Sequence, residues 1–204
     1  MPSYVLSRAL FRFLNGQGPA CTHRGAMRNR VEERERMSDM GRKEKVGKTN
    51  AMRELDVAGV EYEVHTYEVE DGIPQRDLGS RIARLIGADP DSQFKTLVTV
   101  TPSGGHVVCC IPVNEELDLK KAAAAAGEKS LSMMPIRDLE AVCGYVRGAC
   151  SPVGMKKHFP TLFDETVELY ERIGISGGRK GITLTLEPMA LVGFVGGTLS
   201  DIVA

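Results

Sequence analysis

Apolar and polar positions in the middle of the chain predict a β-hairpin. Residues 94–101 and 106–113 are rich in Val, Thr and Ile, and the turn sequence Ser103-Gly104-Gly105 lies between them. Apolar residues run almost unbroken from Val107 to Ile111, as is typical of a strand buried on both faces. We therefore expect this hairpin to lie inside a β-sheet.

Helix caps and helical periodicity predict helices on both sides of the hairpin. Thr49 is a favourable N-cap for a helix over 50–58, and Asp118 is one for a helix over 119–126. Apolar residues on one face indicate a further helix over 76–86. Shorter elements are predicted as a turn over 71–74, as strands over 61–67, 129–133, 167–170 and 182–186, and as short helices or helical turns over 135–142, 188–192 and 199–203.

These elements indicate an α/β fold of the mixed α+β kind. Strands and helices intermix without a strict β-α-β alternation, so we expect one domain in which short helices surround a mixed sheet. The alanine run over 122–126 gives one helix a small-residue face that can pack closely on that sheet. The domain is expected to span residues 48–204.

The first 47 residues differ in charge from the rest. Residues 1–47 carry ten Lys and Arg against five Asp and Glu, a net charge of +5, whereas residues 48–204 have a net charge of −6. Residues 1–30 contain five Arg and no acidic residue, a composition that resembles a transit peptide. We favour a disordered N-terminal tail, and Met37 or Met40 is an alternative start.

The composition argues against several classes of protein. An acidic body offers no broad basic face, so a contact with nucleic acid must be local or shared with a partner. No apolar run reaches the roughly 18 residues that span a membrane. The five cysteines include no C-x-x-C pair, which argues against a zinc site, and their odd number without a secretion signal favours the cytoplasm. We expect no metal and no cofactor.

Three short stretches combine glycine or a hydroxyl residue with a basic side chain. They are Phe94-Lys95-Thr96-Leu97, Gly144-Tyr145-Val146-Arg147-Gly148 leading to Ser151-Pro152-Val153-Gly154, and Ser176-Gly177-Gly178-Arg179-Lys180-Gly181. Backbone N–H groups in glycine-rich turns bind anions, and Lys and Arg bind phosphate. None of the stretches matches a P-loop or a dinucleotide fingerprint. They predict a pocket for a small ligand that carries a phosphate or a carbonyl group.

Spacing alone leaves the individual catalytic candidates open. Lys95, at the start of an apolar strand, either extends its ammonium group to solvent or points into a pocket. Cys143 and Cys150 flank the glycine loop, but no histidine is obviously placed to activate either thiol, which argues against a catalytic cysteine. Asp164 is either an acidic residue of the site or part of a surface turn. The residues alone favour the surface turn.

Taken together, the motifs resemble the YbaK/EbsC family of aminoacyl-tRNA deacylases in order and spacing. The resemblance covers nearly all of residues 48–204 and leaves 1–47 without a counterpart. It also includes Lys48-Thr49-Asn50-Ala51, His65-Thr66-Tyr67-Glu68, Leu117-Asp118-Leu119-Lys120-Lys121, Met155-Lys156-Lys157 and Asp164-Glu165. It implies the fold of the editing domain of bacterial prolyl-tRNA synthetases, with a barrel-like mixed sheet, and hydrolysis of the ester between an amino acid and the 3′ end of tRNA.

The resemblance also implies roles for individual residues. Lys95 corresponds to the lysine that is essential in the family. Substrate-binding roles are implied for Tyr67, Phe94, Thr96, Arg147, Gly148, Ser151, Pro152, Gly154, Asp164, Ser176, Gly177 and Gly178. Ala149 stands where many relatives have glycine, which puts the finer substrate preference in doubt.

The resemblance is strongest to the subgroup that removes cysteine mischarged onto tRNA(Pro). The hypothesis for the chemistry is that the substrate thiol or a positioned water attacks the ester, while loop N–H groups and Lys95 stabilise the oxyanion. Candidates for binding the phosphates of the terminal adenosine of tRNA are Lys95, Arg147, Arg179 and Lys180, and prolyl-tRNA synthetase is a candidate partner. The alternatives are a deacylase for alanine or other small amino acids and a non-catalytic module that binds a tRNA end or a synthetase.

Overall fold

The computed structural model describes residues 47–69 and 75–204. Residues Lys48 to Ala204 belong to one compact unit. The predicted turn over 71–74 and, apart from Gly47, the predicted tail lie outside the described residues. The domain boundary at residue 48 stays a prediction.

The described part of the chain contains five α-helices and eight strands. The helices are α1 (Asn50–Ala58), α2 (Gln75–Leu85), α3 (Leu119–Ala125), α4 (Ile136–Cys143) and α5 (Pro188–Val195). The strands are β1 (Tyr62–Thr66), β2 (Phe94–Val100), β3 (His106–Pro112), β4 (Ser132–Met133), β5 (Thr161–Asp164), β6 (Ile173–Ser176), β7 (Ile182–Leu186) and β8 (Thr198–Ser200). Short 3-10 helices cover Pro90–Ser92 and Glu165–Leu169. This composition confirms the predicted mixed α/β class.

The predicted hairpin is confirmed as the antiparallel pair of β2 and β3. It lies within a five-stranded sheet of order β4-β2-β3-β5-β8, in which Lys95 pairs with Ile111. Strands β3 and β5 run parallel, as do β5 and β8. The sheet is therefore mixed, as the intermixed strands and helices predict.

A second sheet contains three antiparallel strands in the order β1-β7-β6. A single parallel bridge between Gln93 and Gly174 joins its edge to the start of β2. This bridge does not continue as a ladder, so the described strands form two sheets and not a closed barrel. The mixed fold that the family resemblance implies is confirmed, but its sheets do not close into a barrel.

The predicted helix caps are confirmed. Thr49 Oγ1 accepts a hydrogen bond from Met52 N at 3.2 Å at the start of α1. Asp118 Oδ1 accepts from the backbone N atoms of Lys120 and Lys121 at 2.8 and 3.1 Å at the start of α3. Each cap satisfies donors that the first turn of a helix leaves without an intrahelical partner.

The small-residue face of α3 packs on the larger sheet, as its alanine run predicts. Ala122 and Ala123 are buried, and their hydrophobic cluster includes side chains of β3, β5 and the C-terminal segment. The members from those elements are Val107, Cys109, Ile111, Leu162 and Ile202. The short side chains let the helix backbone approach the sheet closely, and α3 thus covers one face of the hairpin.

Two predicted elements are wrong. The predicted strand over 167–170 falls largely in the 3-10 helix Glu165–Leu169, because the side chain of Asp164 caps a turn there. The predicted helical turn over 199–203 begins instead within β8, where Leu199 pairs with Phe163 of β5. This pairing joins residues distant in sequence, which a local pattern does not reveal.

Candidate active site

A cavity of about 730 Å³ lies beside β2 and brings together parts of all three predicted motifs. Its polar lining comprises Tyr67, Gln93, Lys95, Thr96, Glu116, Arg147, Cys150, Ser176 and Thr183. Its apolar lining includes Leu78, Ile82, Leu97, Met133, Met134, Ile136 and Leu139. The volume is in the range of sites that bind small molecules, and a mostly apolar wall with a few polar groups is typical of such sites.

Lys95 lines the cavity, and its ammonium group binds the backbone of the segment that follows β3. Its Nζ donates to the carbonyl oxygen of Val113 at 3.0 Å and to that of Glu115. An ammonium group has three donors, so one N–H remains beyond these two contacts. Burial lowers the pKa of Lys95, while the nearby carboxylates of Glu116 and Glu115 oppose this shift. The two carbonyl contacts fix the position of a cation at the cavity wall.

The neighbours of Lys95 on β2 are held by packing. Phe94 is buried and its ring meets Tyr170 edge-on, with the ring centroids 6.3 Å apart. Thr96 is buried against Cys110, with Oγ1 and Sγ 3.8 Å apart.

The backbone N of Tyr67 donates to the carbonyl oxygen of Gly181 at 3.0 Å, which attaches Tyr67 to the third motif. Burial raises the pKa of Tyr67, so its phenol keeps its proton.

The second motif reaches the cavity through only part of its length. Arg147 and Gly148 line the cavity, whereas Ser151, Pro152 and Gly154 do not. Ser151 is fully buried, and its Oγ accepts from Val153 N at 3.4 Å. These three residues therefore support the loop without lining the cavity.

Gly154 joins this loop to α1. Its N donates to Glu54 Oε2 at 3.0 Å, and its carbonyl oxygen accepts from Asn50 Nδ2 at 3.0 Å. A Cβ at this position would lie 2.6 Å from the Tyr145 hydroxyl and 2.8 Å from the backbone N of Ala51. Only glycine fits between these groups.

The third motif contacts the second. Ser176 lines the cavity, and its Oγ accepts from Gly178 N at 3.3 Å. The N of Gly177 donates to the carbonyl oxygen of Ile182 at 3.0 Å, which closes the turn. Gly178 has a φ of +82°, and a Cβ there would lie 2.9 Å from the Tyr145 ring. Gly177 and Gly178 do not line the cavity; they shape the turn and allow Tyr145 to pack against it.

Asp164 lies away from the cavity. It is buried at the end of β5, and its Oδ1 accepts from the N and Oγ1 of Thr166 at 3.2 and 2.6 Å. Its Oδ2 accepts from Ile202 N at 3.1 Å. The structure gives this residue a capping and tethering role, and does not bring it to the other predicted site residues.

Substitution of Asp164 by Asn is expected to lower the free energy of unfolding by about 2 kcal/mol. One carboxylate oxygen would become an NH₂ group that faces a buried N–H of Ile202 or Thr166. Urea denaturation measures the loss. Glu165→Gln, at the exposed neighbour, is the control and should change the free energy by less than about 0.5 kcal/mol. Equal effects of the two substitutions would contradict this role.

Several cavity residues were not predicted from the sequence. Gln93 lies directly before β2, and Thr183 lies in β7. Glu116 is the one carboxylate among the described residues that line the cavity. The apolar lining comes partly from α2 and α4, whose faces toward the cavity are ordinary amphipathic patterns in the sequence. An apolar helix face indicates packing but does not distinguish a core from a cavity wall.

The described cysteines and acidic residues do not form a metal site. Residues 47–69 and 75–204 contain no group of three or more His, Cys, Asp or Glu that could hold a metal ion. Cys109 is buried in β3, and burial raises its pKa to about 12.

In the same described part of the chain, no helix has the length and apolar character needed to cross a membrane.

Comparison with known proteins identifies the family. The sequence profile of the aminoacyl-tRNA editing domain matches residues 74–194. A curated relative from Enterococcus faecalis, EbsC, is named as a candidate Cys-tRNA(Pro)/Cys-tRNA(Cys) deacylase. It is 41% identical over 164 residues, which cover 80% of this chain and 98% of the relative.

Solved structures share the fold at lower sequence identity. The crystal structure of the hypothetical protein APE2540 has a TM-score of 0.67 at 20% identity, covering 76% of this chain and all of the other. A crystal structure titled as a candidate trans-editing enzyme for prolyl-tRNA synthetase has a TM-score of 0.64 at 21% identity, covering 76% of this chain and 95% of the other. The chain belongs to the aminoacyl-tRNA editing domain family and is a deacylase of aminoacyl-tRNA, as the YbaK/EbsC resemblance implies.

Proposed function

We propose that this deacylase removes cysteine from mischarged Cys-tRNA(Pro) as a free-standing editing enzyme of the cytoplasm. The observation that carries the proposal is the cavity in which Lys95, the Arg147-Gly148 turn and Ser176 meet. A fixed cation, a glycine turn and a hydroxyl group can surround one ester group. The name of the Enterococcus faecalis relative supports cysteine as the amino acid.

The geometry supports chemistry without a protein nucleophile. Cys150 is the one thiol in the described cavity lining, and its pKa is raised by its hydrogen bond to Cys143 and by burial. A thiol that keeps its proton is a poor nucleophile. The attack is therefore assigned to the thiol of the cysteinyl group, which belongs to the same molecule as the ester, or to a water molecule held next to the ester carbon.

Lys95 is assigned the stabilisation of the oxyanion that forms at the ester carbonyl. Its third donor is the group that would bind this oxygen, with the N–H groups of the Arg147-Gly148 turn as further donors. The two carbonyl contacts hold the ammonium in place before the reaction, so little reorganisation is needed. This arrangement would bind the transition state more strongly than the neutral ester.

The rest of the cavity is larger than a cysteinyl group requires. Its apolar lining leaves room for the terminal adenosine of tRNA, and Arg147 is the cavity residue that can bind a phosphate. Arg179 and Lys180 follow the third motif and are further candidates for the acceptor stem. Because the body of the chain is acidic, we assign recognition of the rest of tRNA(Pro) to a partner such as prolyl-tRNA synthetase.

The experiment that tests this function compares Cys-, Ala- and Pro-tRNA(Pro) side by side with purified protein. We expect release of cysteine to be at least about tenfold faster than release of alanine or proline, because only cysteine carries a thiol. Release of labelled amino acid measures the rate. Equal rates for Cys and Ala would favour a deacylase for small amino acids, and binding of tRNA without hydrolysis would contradict the proposal.

A further inference from the structure

Glu116 is a charged group of the cavity wall to which the proposed chemistry gives no role. It is the one carboxylate among the described residues that line the cavity, and the residue is exposed. Within residues 47–69 and 75–204, its carboxylate oxygens accept no hydrogen bond from another group. A carboxylate with unused acceptors in a ligand cavity indicates that the ligand supplies the donor.

The backbone at Glu116 is fixed from both sides. Lys95 Nζ donates to the carbonyl oxygen of Glu115, the residue directly before it. The carbonyl oxygen of Glu116 accepts from the N of Ala204 at 2.9 Å, and Leu117 forms an antiparallel bridge with the C-terminal segment. The carboxylate therefore extends from a fixed point of the cavity wall, one residue away from a carbonyl that holds Lys95.

The charges of the cavity favour a positively charged ligand group at this carboxylate. Among the described residues that line the cavity, Lys95 and Arg147 are cations and Glu116 is the anion. Burial lowers the pKa of Lys95, and the negative charge of Glu116 opposes this shift, as expected for two groups on the same part of the wall. A further positive group in a largely apolar cavity needs an anionic partner, because an unpaired charge away from water is costly.

An aminoacyl ester carries such a positive group. Its α-ammonium is attached to the carbon next to the ester carbonyl, so the ammonium stays close to the carbonyl in every conformation of the ester. When the carbonyl oxygen binds Lys95, the α-ammonium lies near the segment that holds Lys95 and carries Glu116. A carboxylate suits this group, because hydrogen bonds between ionised partners are about twice as strong as neutral ones.

We propose that Glu116 binds the α-ammonium group of the aminoacyl ester and restricts the enzyme to esters whose α-amino group is free. This role is in binding and specificity, and it involves no proton transfer. The inference rests on the proposed position of the ester at Lys95 but not on cysteine as the amino acid, because every aminoacyl ester carries this group. An ester whose α-nitrogen is acylated, as in peptidyl-tRNA, lacks the charge and would be spared.

A different role for Glu116 would be to balance the charge of Lys95 alone. The carboxylate would then act on hydrolysis only through Lys95, and every ester would depend on it equally. The two roles therefore differ in one measurable respect, which is whether the dependence on Glu116 requires a positive charge on the substrate.

Two esters that differ only in the α-substituent test the proposal. tRNA(Pro) is acylated with cysteine or, by an acylating ribozyme, with 3-mercaptolactic acid, which keeps the thiol and replaces the α-ammonium with a hydroxyl. The full chain hydrolyses both at about pH 6.5, where an α-amino group is charged, and each rate is divided by the spontaneous rate of the same ester. We expect wild-type protein to accelerate the cysteinyl ester at least about tenfold more, because losing a hydrogen bond to a charged group has effects of this size.

Matched variants assign the difference to the carboxylate. Glu116→Gln keeps the shape of the side chain and removes its charge. It should lower kcat/KM about tenfold for the cysteinyl ester and less than about twofold for the mercaptolactyl ester. Glu115→Gln is the control, because its carboxylate also acts on Lys95 but does not line the cavity. This variant should keep the wild-type ratio between the two esters.

Equal losses on both esters in Glu116→Gln would show that the residue only balances Lys95 and would overturn the proposal. An unchanged rate on the cysteinyl ester would overturn it as well. Equal acceleration of the two esters by wild-type protein would do so even if Glu116→Gln failed to fold. Slower cleavage of Cys-tRNA(Pro) than of Ala-tRNA(Pro) would count against cysteine as the substrate alone, since the alanyl and lactyl esters make the same comparison for Glu116.

Discussion

Substitution of Lys95 by Ala is expected to lower the rate of Cys-tRNA(Pro) deacylation by about 100-fold or more, the usual effect of losing one donor to an oxyanion. The ammonium group is the cation that the structure holds at the cavity wall by two carbonyl contacts. Alanine leaves neither a charge nor a donor at this position. The loss should appear in kcat and in kcat/KM together, because the donor is assigned to the transition state.

A structural effect must be separated from the catalytic one, because Lys95 also connects β2 to the segment that follows β3. Loss of its contacts to Val113 and Glu115 should lower the free energy of unfolding by about 1–2 kcal/mol. Urea denaturation measures this term, and rates are compared under conditions in which each protein is folded. Lys129→Ala, at an exposed lysine, is the matched control and should change neither quantity. Full activity of folded Lys95→Ala protein would contradict the assigned role.

The sequence predicts the fold best where structure is determined locally. Thr49 and Asp118 cap their helices as predicted, because an N-cap depends on residues only three positions apart. The hairpin of β2 and β3 follows from composition and an adjacent turn. By contrast, β5 and β8 are short strands held by parallel pairing between residues about 36 positions apart, such as Leu162 and Thr198. Their own residues carry too little periodicity to predict them.

The candidate site shows the same division. The motif pattern predicts which loops form the cavity, and Lys95, Arg147, Gly148 and Ser176 all line it. The pattern does not predict which glycines face the ligand and which give room to a neighbouring side chain, because both requirements select the same residue type. Gly154 is a clear instance, since its surroundings in the structure are protein groups on both sides.

Substitution of Gly154 by Ala is therefore expected to act on stability, with a loss of about 2–5 kcal/mol in the free energy of unfolding. A left-handed backbone costs a non-glycine residue about 1–2 kcal/mol, and overpacking against fixed neighbours adds about 1–3 kcal/mol. The φ of Gly154 is +75°, and the clash is with a backbone N of α1 and a hydroxyl that is held by Val153. Backbone atoms of a helix cannot move aside as a flexible side chain can.

Gly59→Ala is the matched control for this substitution. Gly59 has nearly the same φ, +71°, but a Cβ there would meet nothing within 4 Å. This variant should lose only the conformational part, about 1–2 kcal/mol, so the difference between the two variants isolates the clash at Gly154. Urea denaturation of both proteins, with deacylation measured on the folded fraction, separates packing from binding. Should Gly154→Ala be no less stable than Gly59→Ala and yet inactive, Gly154 would contact the substrate, as the family resemblance implies, and would not act through the shape of the loop.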